Sequence, residues 1–326
     1  MRRALIAVDA YACSEYPDNW FAFAQMHYKT CMMKHILKLA VALIATLVFF
    51  AIWDRADITD YRVVSYNSSG LSYDAKGDYD RAVDAFSKAI RLYSGSATLF
   101  NNRGNAFRGK GDFDHAIADY SEAIRLSPKS GNGYHYRGNA YEAKGDFERA
   151  LADFNVVVRL HPEYVLGYLE RGRIDLYCGR LDNAQMDFEH AIRMDPTSAY
   201  APLWLELARR RNSLPSNLAT AIEQVDMTKW PAPMLRLFLG QATPTAVLGA
   251  ANDGNPATQR GQICEANFFI AEWQLFQDAT VDALRLLRLA VSECPRNYIE
   301  WNAANAELLR FGSQTKGTHA LTCGAD

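Results

Sequence analysis

Small and aromatic residues recur along this chain at one fixed interval. Gly70, Gly104, Gly138 and Gly172 stand 34 residues apart, as do Gly77, Gly111, Gly145 and Gly179, and Ala82, Ala116, Ala150 and Ala184. Frames 63–96, 97–130, 131–164 and 165–198 place the first glycine at position 8. Position 24 is then always aromatic (Phe86, Tyr120, Phe154, Phe188). Position 27 is Ala89, Ala123, Val157 and Ala191, and position 32 is Ser94, Pro128, Pro162 and Pro196. A unit of this length holds two antiparallel helices, A and B, neither of which can bury its apolar stripe alone. The pattern therefore predicts an all-α chain of stacked hairpins.

Each recurring letter has a physical task. Glycine at position 8 and alanine at position 20 let helices A and B approach, and the aromatic at position 24 fills the space between them. Alanine at position 27 faces the next repeat. Glycine at position 15 turns the chain out of helix A. Asp78, Asp112 and Asp146 follow it as N-caps of helix B; in frame four Arg180 stands there, and Asp182 is the alternative cap. Proline at position 32 stops helix B. The Lys-Gly-Asp triplets at 76–78, 110–112 and 144–146 fall at these turns and lack the Gly-Lys-Thr/Ser ending of a phosphate loop. The period and its letters closely resemble the tetratricopeptide repeat (TPR), whose fold is a helical-hairpin solenoid.

Beyond Ser198 the phase is lost. Residues 199–263 read as an irregular helical segment, with helices over 202–211, 216–225, 234–239 and 244–251 separated by Trp230-Pro-Ala-Pro, Gly240 and Asn252–Asn255. A further repeat-like frame covers 264–297, with Ala271, Ala283, Leu287, Ala290 and Pro295 at positions 8, 20, 24, 27 and 32. A helix over about 298–311 with Trp301, Ala304, Leu308 and Phe311 on one face caps it. Hairpin and cap together span 264–312, and 313–326 reads as a disordered tail. This layout over residues 61–311 resembles the NlpI-type periplasmic TPR adaptor lipoproteins and their membrane-anchored relatives. The resemblance implies a non-enzymatic adaptor that docks peptidoglycan hydrolases and an envelope protease, and a homodimer. The chain departs from that family in having no lipidation box.

It carries instead an apolar run, Ile36–Trp53, inside a span of 33–54. Eighteen residues make roughly 27 Å of helix, enough to cross a bilayer core with Lys38 snorkelling. Arg2, Arg3, Lys29, Lys34 and Lys38 precede it, and Asp54, Asp57 and Asp60 follow, so the positive-inside rule exports everything after Trp53. Cleavage points after Ala51 and Ala56 lack a small residue at −3, which predicts an uncleaved anchor. The expected location is therefore the inner membrane, single-pass, with the C-terminal domain in the periplasm. Residues 1–32 read as a leader ahead of a translation start at Met32 or Met33.

Composition adds exclusions. A chain of 326 residues with 49% hydrophobic letters and net charge −2 is neither disordered nor equipped with a field for nucleic acid. The histidines His27, His35, His115, His135, His161, His190 and His319 form no metal-ligand spacing, and no nucleophile elbow or dinucleotide fingerprint occurs. No catalytic residue, metal or cofactor is expected. Cys264 and Cys294, at opposite ends of the last hairpin, form either a disulfide or two buried thiols; export favours the disulfide. Cys178 reads as a small buried apolar residue.

Side chains at positions 2, 5, 9 and 12 of the A helices line the concave face of such a solenoid. Here these include Asn67, Asn101, Asn105, Arg108, His135, Asn139, Glu142 and Arg173. Asparagines can grip a peptide backbone, and a guanidinium offers a fork for a carboxylate. Proteins or peptides are the expected partners through this face, and a membrane through the N-terminal helix. An assembly factor for a secretion or cell-surface structure is the alternative function. Arg103, Arg137 and Arg171, at position 7, read as interhelical residues.

Overall fold

A computed structural model describes Lys38, residues 40–44, 61–296 and 298–315. Lys38 and residues 40–44 are helical and exposed. The remainder of the expected anchor, the leader and the chain beyond 315 lie outside the described residues. Among the described residues, no helix is long and apolar enough to cross a membrane.

The periodic stretch forms eight helices in four hairpins: α1 (61–75) with α2 (Tyr79–Leu92), α3 (Ala97–Lys110) with α4 (Phe113–Leu126), α5 (Gly131–Ala143) with α6 (Phe147–Leu160), and α7 (Val165–Tyr177) with α8 (Leu181–Met194). Each A helix ends on its position-15 glycine, held at φ 73° to 84°. The next backbone N–H then reaches back to a carbonyl of the last turn, as Asp112 does to Phe107 (2.9 Å) and Arg180 to Asp175 (2.8 Å). Asp78, Asp112 and Asp146 cap the B helices by accepting from the amides of Arg81, His115 and Arg149. In the fourth repeat no side chain caps α8. Asp182 lies in its first turn and accepts from Asn212 instead (3.0 Å).

Position 8 shows why glycine recurs. A Cβ on Gly104 would sit 2.6 Å from the Tyr120 ring, and one on Gly172 would sit 2.8 Å from Phe188. Ala82, Ala116, Ala150 and Ala184 are fully buried, as are the four position-24 aromatics. Each such ring contributes about 2–3 kcal/mol on burial.

The segment after Ser198 differs from its reading as out of phase. Helix α9 (Tyr200–Arg211) packs on α8 as the A helix of a fifth frame, 199–232. Its position 15 is Ser213, at φ 57°, and Leu214 N–H reaches back to the Arg209 carbonyl (2.8 Å), as in the four preceding turns. Asn212 bonds Asp182 just as Lys110 bonds Asp80, at the same separation of 30 residues. What is degenerate is helix B, reduced to α10 (Leu218–Ala221). Then come α11 (Ala232–Phe238), α12 (Pro244–Ala250), α13 (Pro256–Leu275), α14 (Thr280–Glu293) and α15 (Ile299–Thr315). Helix α13 begins well before the expected 264. Helix α15 runs through Thr315, into the first three residues of the expected tail.

One large core extends from Ala143 to Ala306 and joins repeats 3 and 4 to everything that follows. Trp204, Phe268 and Phe269 meet near its centre, with ring centroids 5.0–5.5 Å apart. Repeats 1 and 2 hold smaller clusters. This asymmetry sets the character of the concave face.

Candidate functional site: the concave face

The A helices are aimed by a clamp that recurs with the period. Arg137 donates Nε to Asp153 Oδ2 (2.9 Å) and Nη2 to Oδ1 (2.8 Å), pinning α5 to α6. Its Nη1 donates to Ser121 of the preceding B helix (3.0 Å). Arg103 does the same with Asp119 and Ser87, and Arg171 with Asp187 and Asn155. Each guanidinium thus ties three helices together. Position 7 is interhelical, as read from the sequence.

Over repeats 1 and 2 the concave face is open. Asn67 accepts from Asn102 Nδ2 (2.9 Å), and Asn105 Oδ1 accepts from the Tyr120 hydroxyl (2.8 Å). Arg108 faces Asp74, whose carboxyl burial pushes up and Arg108 draws back down. Val64 and Leu71 stand beside these groups, 57% and 47% exposed. Two buried polar atoms have no hydrogen-bond partner among the described residues: Asn101 Oδ1, an acceptor, and Arg108 Nε, a donor.

Over repeats 3 and 4 the face is covered. Glu142 and Arg173, expected in an open groove, are sealed from solvent, their side chains 0% and 1% exposed. They pair with each other at 3.1 Å, and the Arg173 guanidinium lies 5.7 Å from the Trp204 ring centroid. Desolvation pushes the Glu142 carboxyl up, against the pull of Arg173. His135 Nε2 lies 2.7 Å from Glu170 Oε1, which also accepts from Asn139 Nδ2 (3.3 Å). These residues therefore bond one another, with Glu170 Oε2 and Arg173 Nε left without a partner among the described residues.

The cover is α15. Asn302 donates Nδ2 to Glu142 Oε2 (3.4 Å), the Trp301 ring lies 6.2 Å from that of Phe113, and Leu309 reaches Gly145. Arg211, at the end of α9, donates to Glu272 of α13 and Glu307 of α15, both at 2.7 Å. Glu265 accepts from the Tyr200 hydroxyl (2.9 Å) and the Trp230 indole (2.7 Å). Sequence reading missed Arg211, Glu265, Glu272, Glu300 and Glu307. The available signal was glutamates seven apart, 265 with 272 and 300 with 307, on helices otherwise rich in apolar residues.

Cys264 and Cys294 are disulfide-bonded, with Cα atoms 5.6 Å apart, and close the α13–α14 hairpin. Cys178 is half-buried and packs against the large core as a small apolar residue. Among the described residues no cluster of His, Cys, Asp or Glu is arranged to hold a metal ion.

Comparison with known proteins agrees with this architecture. TPR-repeat family models match residues 104–145, and models described as tetratricopeptide repeat match 131–164, 63–95 and 167–198. The chain thus carries tetratricopeptide repeats across 63–198. No curated protein matches it. Among solved structures it is similar to the crystal structure of MamA protein, at 20% identity and TM-score 0.45 over 50% of this chain and 89% of that one. MamA 41-end from Desulfovibrio magneticus RS-1 is similar at 17% identity and TM-score 0.45, over 50% of this chain and 90% of that one. The second TPR domain of human RPAP3, solved with the HSP70 peptide SGPTIEEVD, is similar at 25% identity and TM-score 0.35, over 36% of this chain and 98% of that one.

Proposed function

We propose that this chain is a non-enzymatic scaffold that holds partner proteins at a membrane, and that it takes them through the uncovered concave face of repeats 1 and 2. The observation carrying this reading is that Asn105 and Arg108 stay partly exposed there, on the same face as the exposed apolar Val64 and Leu71. An extended peptide pairs its backbone N–H and carbonyl groups with the polar side chains that reach solvent, and covers the apolar ones.

The location proposed is the periplasmic face of the inner membrane, with residues 33–54 as an uncleaved anchor. The charge order around the apolar run supports it, and a disulfide between Cys264 and Cys294 fits an oxidising compartment. The NlpI-type resemblance adds peptidoglycan hydrolases and an envelope protease as the partner class. An anchor also concentrates partners at the membrane surface.

Crosslinking in cells from position 71, followed by titration of the captured partner, tests the scaffold. Asn105→Ala and Arg108→Ala are each expected to weaken binding about tenfold. Unchanged affinity in both variants would move the binding surface elsewhere. A phosphatase reporter fused after the last residue tests sidedness: it is active if the repeats are exported, and inactivity would refute the location.

A further inference from the structure

The covered half of the concave face holds an arrangement that the scaffold reading does not explain. Three carboxyl groups, of Glu142, Glu170 and Glu300, act on the buried Arg173 guanidinium, and a fourth, of Glu265, acts on Glu300. Glu142 and Glu170 come from α5 and α7, Glu265 from α13 and Glu300 from α15, and all stand near Arg173 of α7 or one another. Glu142 and Glu300 are buried and Glu265 is half-buried, and desolvation favours the protonated form of each.

We infer that α15 is a latch over the inner end of repeats 3 and 4, held shut by buried carboxyl groups that keep their protons, and that raising the pH releases it and exposes Glu142 and Arg173. Three geometric facts carry this. First, α15 covers the C-terminal end of α5: Asn302 touches Glu142 and Leu309 reaches Gly145. The matching position-9 and position-12 residues of repeat 2, Asn105 and Arg108, which lie outside its reach, stay partly exposed. Second, α13 and α15 each carry two glutamates seven residues apart, Glu265 and Glu272 on one and Glu300 and Glu307 on the other, and Arg211 joins the second of each pair. It lies 2.7 Å from both partners, with Arg310 beside Glu307. Third, among the described residues no cation forms an ion pair with Glu265 or Glu300: Arg173, which acts on Glu300, is paired with Glu142. Glu265 is held by two neutral donors, Tyr200 and Trp230.

The groups facing Glu300 come from every neighbouring element whose charges act on it: Glu142 of α5, Arg173 of α7 and Glu265 of α13, with its own backbone N–H. Tyr200 of α9 reaches the cluster through Glu265. Helix α14 meets α15 through the Trp301 indole, which donates to the Val291 carbonyl (3.0 Å). Burial first, then Glu265, pushes the Glu300 carboxyl up to about 8. Burial and Glu307 push Glu272 up to about 7 against the pull of Arg211.

The sign follows. A released α15 returns Glu300 to the ordinary glutamate range near 4.5, so the closed form binds the extra proton. The closed form is fully favoured below about pH 4.5 and loses ground as the pH rises toward 8. One linked proton shifts the balance about tenfold per pH unit in that window. The latch is a property of the chain alone. Only the consequence, that its opening admits partners, rests on the scaffold reading.

Hydrogen exchange of the full chain from pH 5.5 to 8.5, corrected for the intrinsic pH dependence of amide exchange, tests it. Protection over 299–315 is expected to fall at least thirtyfold while α5–α8 keep theirs. Glu300→Gln, which mimics the protonated side chain, should remove most of that fall, leaving only the part linked to Glu272; Glu265→Gln is the second variant if the first fails to fold. Flat protection in the unmodified chain overturns the inference, as does an equal fall in the unmodified chain and the Gln variant. Because no partner is present, failure here is distinct from failure of the scaffold reading.

Discussion

The arginine clamp yields a prediction that can be worked closely from the geometry. In Arg137→Met, the Asp153 carboxylate loses both hydrogen bonds while its side chain remains 6% exposed. Stranding one partner of a fully buried pair costs about 3–5 kcal/mol. The departing guanidinium is 22% exposed and water can enter behind it, so about 2–3 kcal/mol is expected. Ser121 is not stranded, because its hydroxyl also donates to the Ile117 carbonyl (2.7 Å). Burial pushes Asp153 up further than Arg137 pulls it down, whereas the same contact raises Arg137. The directions differ because the carboxylate is the more buried partner. The pair therefore gains little over an apolar replacement. The last hairpin makes this replacement naturally, with Ile270 and Leu286, 1% and 5% exposed, at the same two positions. The double variant Arg137→Ile/Asp153→Leu should accordingly recover to within about 1 kcal/mol of the unmodified protein. Urea unfolding followed by circular dichroism, run on both single variants and the double, measures the coupling. Singles as stable as the parent, or a double that costs the sum of the singles, would refute the argument. Arg103 and Arg171 serve as internal repeats of the same measurement.

Other outcomes follow from the same coordinates. Gly138→Ala places a Cβ 2.9 Å from the Phe154 ring and should cost about 1–3 kcal/mol, while Phe154→Leu in the same chain should relieve part of it in the same urea assay. Asp278 sits at φ 59°, so Asp278→Gly should stabilise by about 0.5–1 kcal/mol, and a neutral or negative shift in urea midpoint would argue against backbone strain there. Reducing the disulfide between Cys264 and Cys294, which are 30 residues apart, should lower stability by about 3–4 kcal/mol through loop entropy. Thermal melts with and without reductant, compared with the Cys264→Ser/Cys294→Ser variant, check it.

Much of the fold was legible because a repeat writes the same local physics several times. Gly104 beneath Tyr120 and Asp112 at the start of α4 are contacts within about sixteen residues, set by helical geometry and the turn between them. Where the letters changed but the backbone did not, reading failed. Ser213 stands in the glycine's place at position 15 and Glu206 in that of position 8, so α9 was read as out of phase although it continues the stack. A polar residue can occupy a left-handed turn at modest cost, and that cost leaves no periodic mark.

The candidate site divides along the same line. That Asn101, Asn105, Arg108, Asn139, Glu142 and Arg173 share the A-helix face follows from the 34-residue period and the turn of an α-helix, both properties of the sequence itself. Which of them meets solvent does not. Asn302 reaches Glu142 across 160 residues, and no local pattern encodes that encounter. It exists because α13 and α14 place α15 against the A helices of repeats 3 and 4, where burying its apolar side brings its glutamates into a space already holding charge. Periodicity determined the scaffold and its lining. Tertiary packing of a single non-repeating helix decided that half of that lining is surface and half is core.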